Sequence, residues 1–107
     1  MRILLVDDHR VVLAGLEALL RGQDWVTEVT TATTIADSLA AARDSQPDLA
    51  VVDLALGTES GLDLIGPMLD LVPTLRVLVL TMSADHEDAR DAVRRGAAGF
   101  VLKDSGP

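Results

Sequence analysis

Residues 2–9 read RILLVDDH: an unbroken apolar run from Ile3 to Val6 stops on two adjacent carboxylates, Asp7 and Asp8, followed by His9. A four-residue run of Ile, Leu and Val without polar alternation is the pattern of a strand buried on both faces, as in a parallel sheet covered by helices on each side. The acid pair therefore falls where the strand leaves the core. Two further runs have this character, LAVV at 49–52 and VLVL at 77–80; FVL at 100–102 is a fifth short apolar run, and VTEVTT at 26–31 alternates like an edge strand.

The segments between these runs have helical spacing. Val12, Leu16, Leu19 and Leu20 share one helix face, and Ile35, Leu39 and Ala42 share another, with Thr34 and Asp37 at the spacing of a capping box. Leu62, Ile65 and Leu69 predict a third helix, short or kinked because Gly66 and Pro67 lie inside it and Pro67 lacks a backbone donor. Residues 85–95 carry Ala89, Ala92 and Val93 on one side among charges, and this helix ends at Gly96. Strands alternating with helices imply right-handed βαβ crossovers. The expected architecture is one α/β domain over residues 1–107, with a five-stranded parallel sheet and helices on both faces.

Composition narrows the function. The 107 residues hold 17 acids against 9 bases, a net charge of -8, so direct nucleic-acid binding by this chain is not expected. The absence of cysteine excludes a disulfide framework, a zinc-thiolate site and a thiol nucleophile, and suits a cytoplasmic protein. No run approaches the ~20 apolar residues of a membrane span, so no membrane association is expected. Neither GxxxxGK nor GxGxxG occurs, which leaves nucleotide-binding loops unindicated.

In open α/β sheets, ligands bind beyond the carboxyl ends of the strands. There the sequence offers Asp7 and Asp8 after the first strand, Asp53 after the third, Thr81 after the fourth and Lys103 after the fifth. Each has a local structural explanation: Asp8 as a helix cap, Asp53 as a turn residue, Thr81 as the cap of the fourth helix, Lys103 as a solvated cation. Their joint position is harder to dismiss. Carboxylates packed within a few Å repel one another unless a cation shares the site. All-oxygen ligation favours a hard ion such as Mg²⁺, and Lys103 adds positive charge for an anionic substrate. Such a set suits phosphoryl chemistry with a carboxylate as nucleophile.

The stretches LLVDDH, VVDLALGTESG, LTMS and GAAGFVLKDS resemble the receiver domain of two-component response regulators. The opening DDH and closing GAAGFVLKDS are similar to the LuxR/NarL-type transcriptional regulators in particular, and the likeness spans the chain. It implies a flavodoxin-like sheet in 2-1-3-4-5 order. It also implies that Asp53 is the phosphoacceptor, taking its phosphoryl group from a phosphohistidine of a sensor histidine kinase with Mg²⁺ as cofactor. Asp8 would ligate the metal directly and Asp7 through water, joined by Asp53 and the backbone carbonyl of Ala55. Lys103 would pair with one phosphoryl oxygen and the Thr81 hydroxyl would bond another. Phe100 matches the switch aromatic that turns inward when Thr81 moves, although plain core packing explains a Phe equally well. The implied output is control of a helix-turn-helix DNA-binding domain absent from this chain. The chain itself is then no enzyme beyond its own phosphotransfer and autodephosphorylation.

Departures from the family pattern carry expectations too. Gly57 stands four residues after Asp53, where the family usually has a proline, and implies a looser loop. Gly61 keeps the expected glycine. The small side chains of Ala55 and Ser83 are expected to admit water to the acyl phosphate and shorten its life. Beyond Lys103 the family continues into a fifth helix, which is missing here; the apolar face left bare is expected to favour a dimer or swapped oligomer. His9 beside the acids could be a metal ligand, but it and His86 are expected at the surface, Trp25 at the sheet margin, and DHEDARDA as a solvated face with Glu87 and Asp91 free for partners.

Two other functions compete. A receiver-like interaction module that is never phosphorylated has no need of Asp7, Asp8, Asp53, Thr81 and Lys103. A Mg²⁺-dependent hydrolase of the haloacid dehalogenase sort requires a DxD motif after the first strand, which DDHR does not supply.

Overall fold

The computed structural model describes residues 1–81 and 86–102; residues 82–85 and 103–107, and the side chains of residues 81, 86 and 102, lie outside the description. The chain runs β1 (Arg2–Val6), α1 (Arg10–Arg21), β2 (Glu28–Ala32), α2 (Ile35–Ser45), β3 (Leu49–Val52), then β4 (Ala55–Leu56) and β5 (Glu59–Ser60). It continues through α3 (Leu62–Leu71), β6 (Arg76–Thr81), α4 (His86–Arg94) and β7 (Gly99–Leu102). Five strands form one parallel sheet in the order β2-β1-β3-β6-β7. Counting only those five, this is the 2-1-3-4-5 order expected, with the alternating strand at the margin.

The lack of polar alternation in β1 has a direct cause. Successive side chains point to opposite faces. Leu4 and Val6 join Ala50, Val52, Val77 and Val79 under α2 and α3, whereas Ile3 and Leu5 join Leu13 and Val29 under α1. Both faces are covered, so both need apolar groups. In β2 the strand starts at Glu28, later than expected, because the Val26 N–H turns back to the Gln23 carbonyl at 3.1 Å.

Helix faces are right in kind and partly wrong in rotation. α1 buries Leu13, with Leu16 and Leu20 packed beside it, while Leu19, expected on that face, is 66% exposed. In α3 Leu64, Ile65 and Met68 are fully buried. That helix is ten residues long and carries Pro67 on its exposed side, a short helix as expected. α4 buries Ala92 but leaves Val93 59% exposed, and Trp25 is 52% exposed. The Thr34 side chain accepts the Asp37 N–H at 3.1 Å, so the expected cap starts α2.

The antiparallel pair β4 and β5 was not foreshadowed by any apolar pattern. Its two-residue connection is Gly57-Thr58, with Gly57 at φ +65°. A positive φ at the first position of a two-residue hairpin loop is the reason for glycine there. The freedom expected to loosen this loop is used instead to close a tight turn. No helix among the described residues is long and apolar enough to cross a membrane.

Candidate functional site

Parallel pairing continues one residue beyond the strands at the carboxyl edge. Asp7 donates its N–H to the Ala32 carbonyl at 3.2 Å, and Asp53 donates its N–H to the Val6 carbonyl at 2.9 Å. The ladder thereby carries both side chains to neighbouring exits. Each is only 3% exposed, and both line one cavity of about 10 Å³ together with Val6 and Leu80, space for roughly one water.

Asp53 is held locally as well. Its Oδ1 accepts the Ala55 N–H at 3.0 Å, so the turn role open to it in the sequence is real, and it fixes the carboxylate at the start of β4. Gly61 donates its N–H to the Leu54 carbonyl at 2.8 Å. A Cβ at Gly61 would collide with the Asp53 carbonyl oxygen. Close backbone approach, not unusual dihedrals, explains that glycine.

Asp8 does not cap α1. The cap position belongs to His9, which makes no side-chain capping bond. Asp8 Oδ2 instead accepts the Gly57 N–H at 2.9 Å, from a residue 49 positions along the chain. Its Oδ1 is buried and has no hydrogen-bond partner. His9 Nδ1 stands 3.0 Å from that oxygen, but only its contact with Asp7 Oδ1, also 3.0 Å, has hydrogen-bonding geometry. Asp7 Oδ1 additionally accepts the His9 backbone N–H at 2.9 Å.

This arrangement raises the His9 pKa above its ordinary value, first through the hydrogen bond to Asp7 and then through the charges of Asp8 and Asp7. Asp53 adds a weaker push in the same direction. His9, expected at the surface with a metal ligand as the lesser alternative, is exposed yet belongs electrostatically to the acid group. Ligand atoms of Asp7, Asp8 and His9 lie within 4.8 Å of one another. The orphaned, buried Asp8 oxygen beside a second carboxylate is a donor set that fits a hard divalent cation.

Other expected participants are placed as follows. Ala55 opens β4, and Thr81 ends β6 with its side chain outside the described residues. Lys103, Ser83 and the His86 side chain also lie outside them. Phe100 pairs with Val79 and packs, half-buried, against the apolar cluster under α2 and α3. Gly57, read only as a loop residue, is the group the sequence reading missed.

Residues 3–107 match the model of the response regulator receiver domain. The chain belongs to that family. It is 38% identical over 103 residues to the DNA-binding transcriptional activator DevR/DosR of Mycobacterium tuberculosis, covering 96% of this chain and 48% of that protein. It is 34% identical over 106 residues to the oxygen regulatory protein NreC of Staphylococcus carnosus, covering 98% of this chain and 49% of that protein. The chain thus spans about half the length of these curated relatives. Among solved structures, a Burkholderia pseudomallei response regulator with a phosphorylated aspartic acid, calcium ion and citrate superposes with a TM-score of 0.88 at 36% identity. That match covers 98% of this chain and 61% of the other. A LuxR-family two-component response regulator from Aurantimonas gives 0.89 at 31% identity, covering 99% and 76%. The receiver fold and the kinship with LuxR/NarL-type regulators agree with the resemblance read from the motifs.

Proposed function

We propose that this chain is a phosphoacceptor receiver: Asp53 takes a phosphoryl group from a phosphohistidine of a sensor histidine kinase, with Mg²⁺, and the altered surface controls a DNA-binding output domain. The observation that carries the reading is the burial of Asp53 and Asp7 around one water-sized cavity beside an Asp8 oxygen that accepts no hydrogen bond. Buried carboxylates crowded in this way are unfavourable without a positive partner, and a phosphoryl site needs one.

In the transfer, an Asp53 carboxylate oxygen forms the new bond to phosphorus while the phosphorus–nitrogen bond of the donor breaks and the imidazole keeps the electron pair. The Ala55 N–H on Asp53 Oδ1 steadies the carboxylate for that attack. Asp7, Asp8, Asp53 and the Ala55 carbonyl would hold the divalent cation, which supplies neutralisation of phosphoryl oxygen charge. Lys103 and Thr81 would bind phosphoryl oxygens, and Phe100 would relay the change from its half-buried place on β7.

The test is incubation with Mg²⁺ and acetyl phosphate followed by intact-mass measurement of the parent chain and of Asp53→Asn. One phosphoryl adduct on the parent and none on the variant is the expected result. No adduct on either would leave a contact module as the better account.

A further inference from the structure

The contact between Gly57 and Asp8 has no counterpart where a proline stands at this place, because proline has no N–H to give. Here the hairpin turn, at φ +65°, aims that N–H at Asp8 Oδ2 across 2.9 Å. The other end of the hairpin is tied down too, since Glu59 Oε1 accepts the Ile35 N–H at 3.0 Å, at the start of α2. The turn is therefore an anchored arm beside the acid group, and the second oxygen, Oδ1, accepts no hydrogen bond and has only the His9 ring nitrogen 3.0 Å away.

We propose that Gly57 is a positioning residue for the acid site: its backbone N–H fixes the Asp8 carboxylate so that Oδ1 is presented to a divalent cation. The inference rests on the reading of Asp8 as a metal ligand. A carboxylate torsion is broad when nothing holds it. A hydrogen bond from the backbone removes that freedom during folding, so less is lost when the cation binds. The bond also leaves Oδ1 its full set of lone pairs. Gly57 and the cation consequently share Asp8 and do not compete for it. Loss of such a supporting hydrogen bond to a ligand typically weakens metal affinity by about 10- to 100-fold.

The experiment measures Mg²⁺ binding calorimetrically on the parent, Gly57→Pro and Gly57→Asn, with circular dichroism to check folding, and follows exchange of the Gly57 amide in the parent by NMR. Proline removes the donor, and Mg²⁺ should bind about tenfold more weakly. Asparagine keeps the donor and tolerates positive φ, so it should restore nearly all of the affinity. In the parent the Gly57 amide should be protected without Mg²⁺ and remain protected when Mg²⁺ is saturating. Unchanged affinity in a folded Gly57→Pro, or amide exchange that accelerates as Mg²⁺ is added, overturns the proposal. Should Gly57→Pro fail to fold, the exchange measurement decides alone. A parent that binds no Mg²⁺ overturns the metal-site reading and this inference with it, an outcome distinct from a parent that binds and a proline variant that binds equally well.

Discussion

Val6 and Asp7 are chain neighbours with nearly equal burial, 2% and 3% exposed, and the same is true of Val52 and Asp53 at 0% and 3%. One peptide further along the strand, the energetic sign of burial reverses. Fully burying a valine stabilises the fold by about 1.5–3 kcal/mol, whereas taking a carboxylate out of water costs several kcal/mol unless partners compensate it. The sheet interior is therefore where burial itself generates stability, whereas at its carboxyl edge buried Asp7 and Asp53 depend on their polar partners. The acids stay put because the ladder bonds of Asp7 to Ala32 and Asp53 to Val6 hold their backbones. On the proposed function, a cation would bind to backbones that are already fixed.

The largest effects should come from the interior. Ile65 is fully buried in the cluster under α2 and α3, and Ile65→Ala should lower unfolding free energy by about 3–4 kcal/mol through lost transfer energy and a residual cavity. Leu13 lies in the smaller cluster under α1 and is 6% exposed, so Leu13→Ala should lower it by about 2 kcal/mol. Urea midpoints at unchanged slope measure both. A larger loss at Leu13 than at Ile65 would mean that the α1 face, not the α2–α3 face, carries the fold.

At the edge the sign should change. In metal-free protein, Asp8→Asn should raise stability by about 1 kcal/mol. The amide oxygen can go on accepting from Gly57, and loss of a charge crowded against Asp7 outweighs loss of the exposed His9 contact at 3.0 Å. The same substitution should abolish the rise in melting temperature that Mg²⁺ gives the parent by binding the folded state. Thermal melts with and without Mg²⁺ read both effects. A variant less stable than the parent in chelator would show that the Asp8 charge is already compensated, and the contrast between interior and edge would fail at that residue.

The same contrast explains what could be read from the residues. RILLV, LAVV and VLVL announce buried strands because both faces need apolar groups, and the abrupt arrival of Asp7, Asp8 and Asp53 marks the edge without further help. Rotation of α1 was harder, since Leu13 and Leu19 are equally apolar and only the sheet decides which of them it covers. Two-residue strands such as Ala55–Leu56 and Glu59–Ser60 are too short to show any periodicity. The bond from Gly57 to Asp8 leaves no compositional mark at all, because its donor is backbone and its partners are 49 positions apart. Departure from the family's proline was the visible clue, and it pointed to looseness where the fold has a tie.

The smallest effect belongs to His9, whose ring is largely solvent-exposed and whose charge is screened accordingly. Its folded pKa is raised above the ordinary 6.5 by Asp7 and Asp8, so the charged form is favoured by folding. The stabilisation is thus fully present below about pH 6.5 and is lost as pH rises through the higher folded value. In chelator, His9→Gln should melt slightly below the parent near pH 5.5 and together with it near pH 9. A deficit that is the same at both pH values would assign His9 a packing role. One that grows toward high pH would mean the imidazole is held neutral against Asp7.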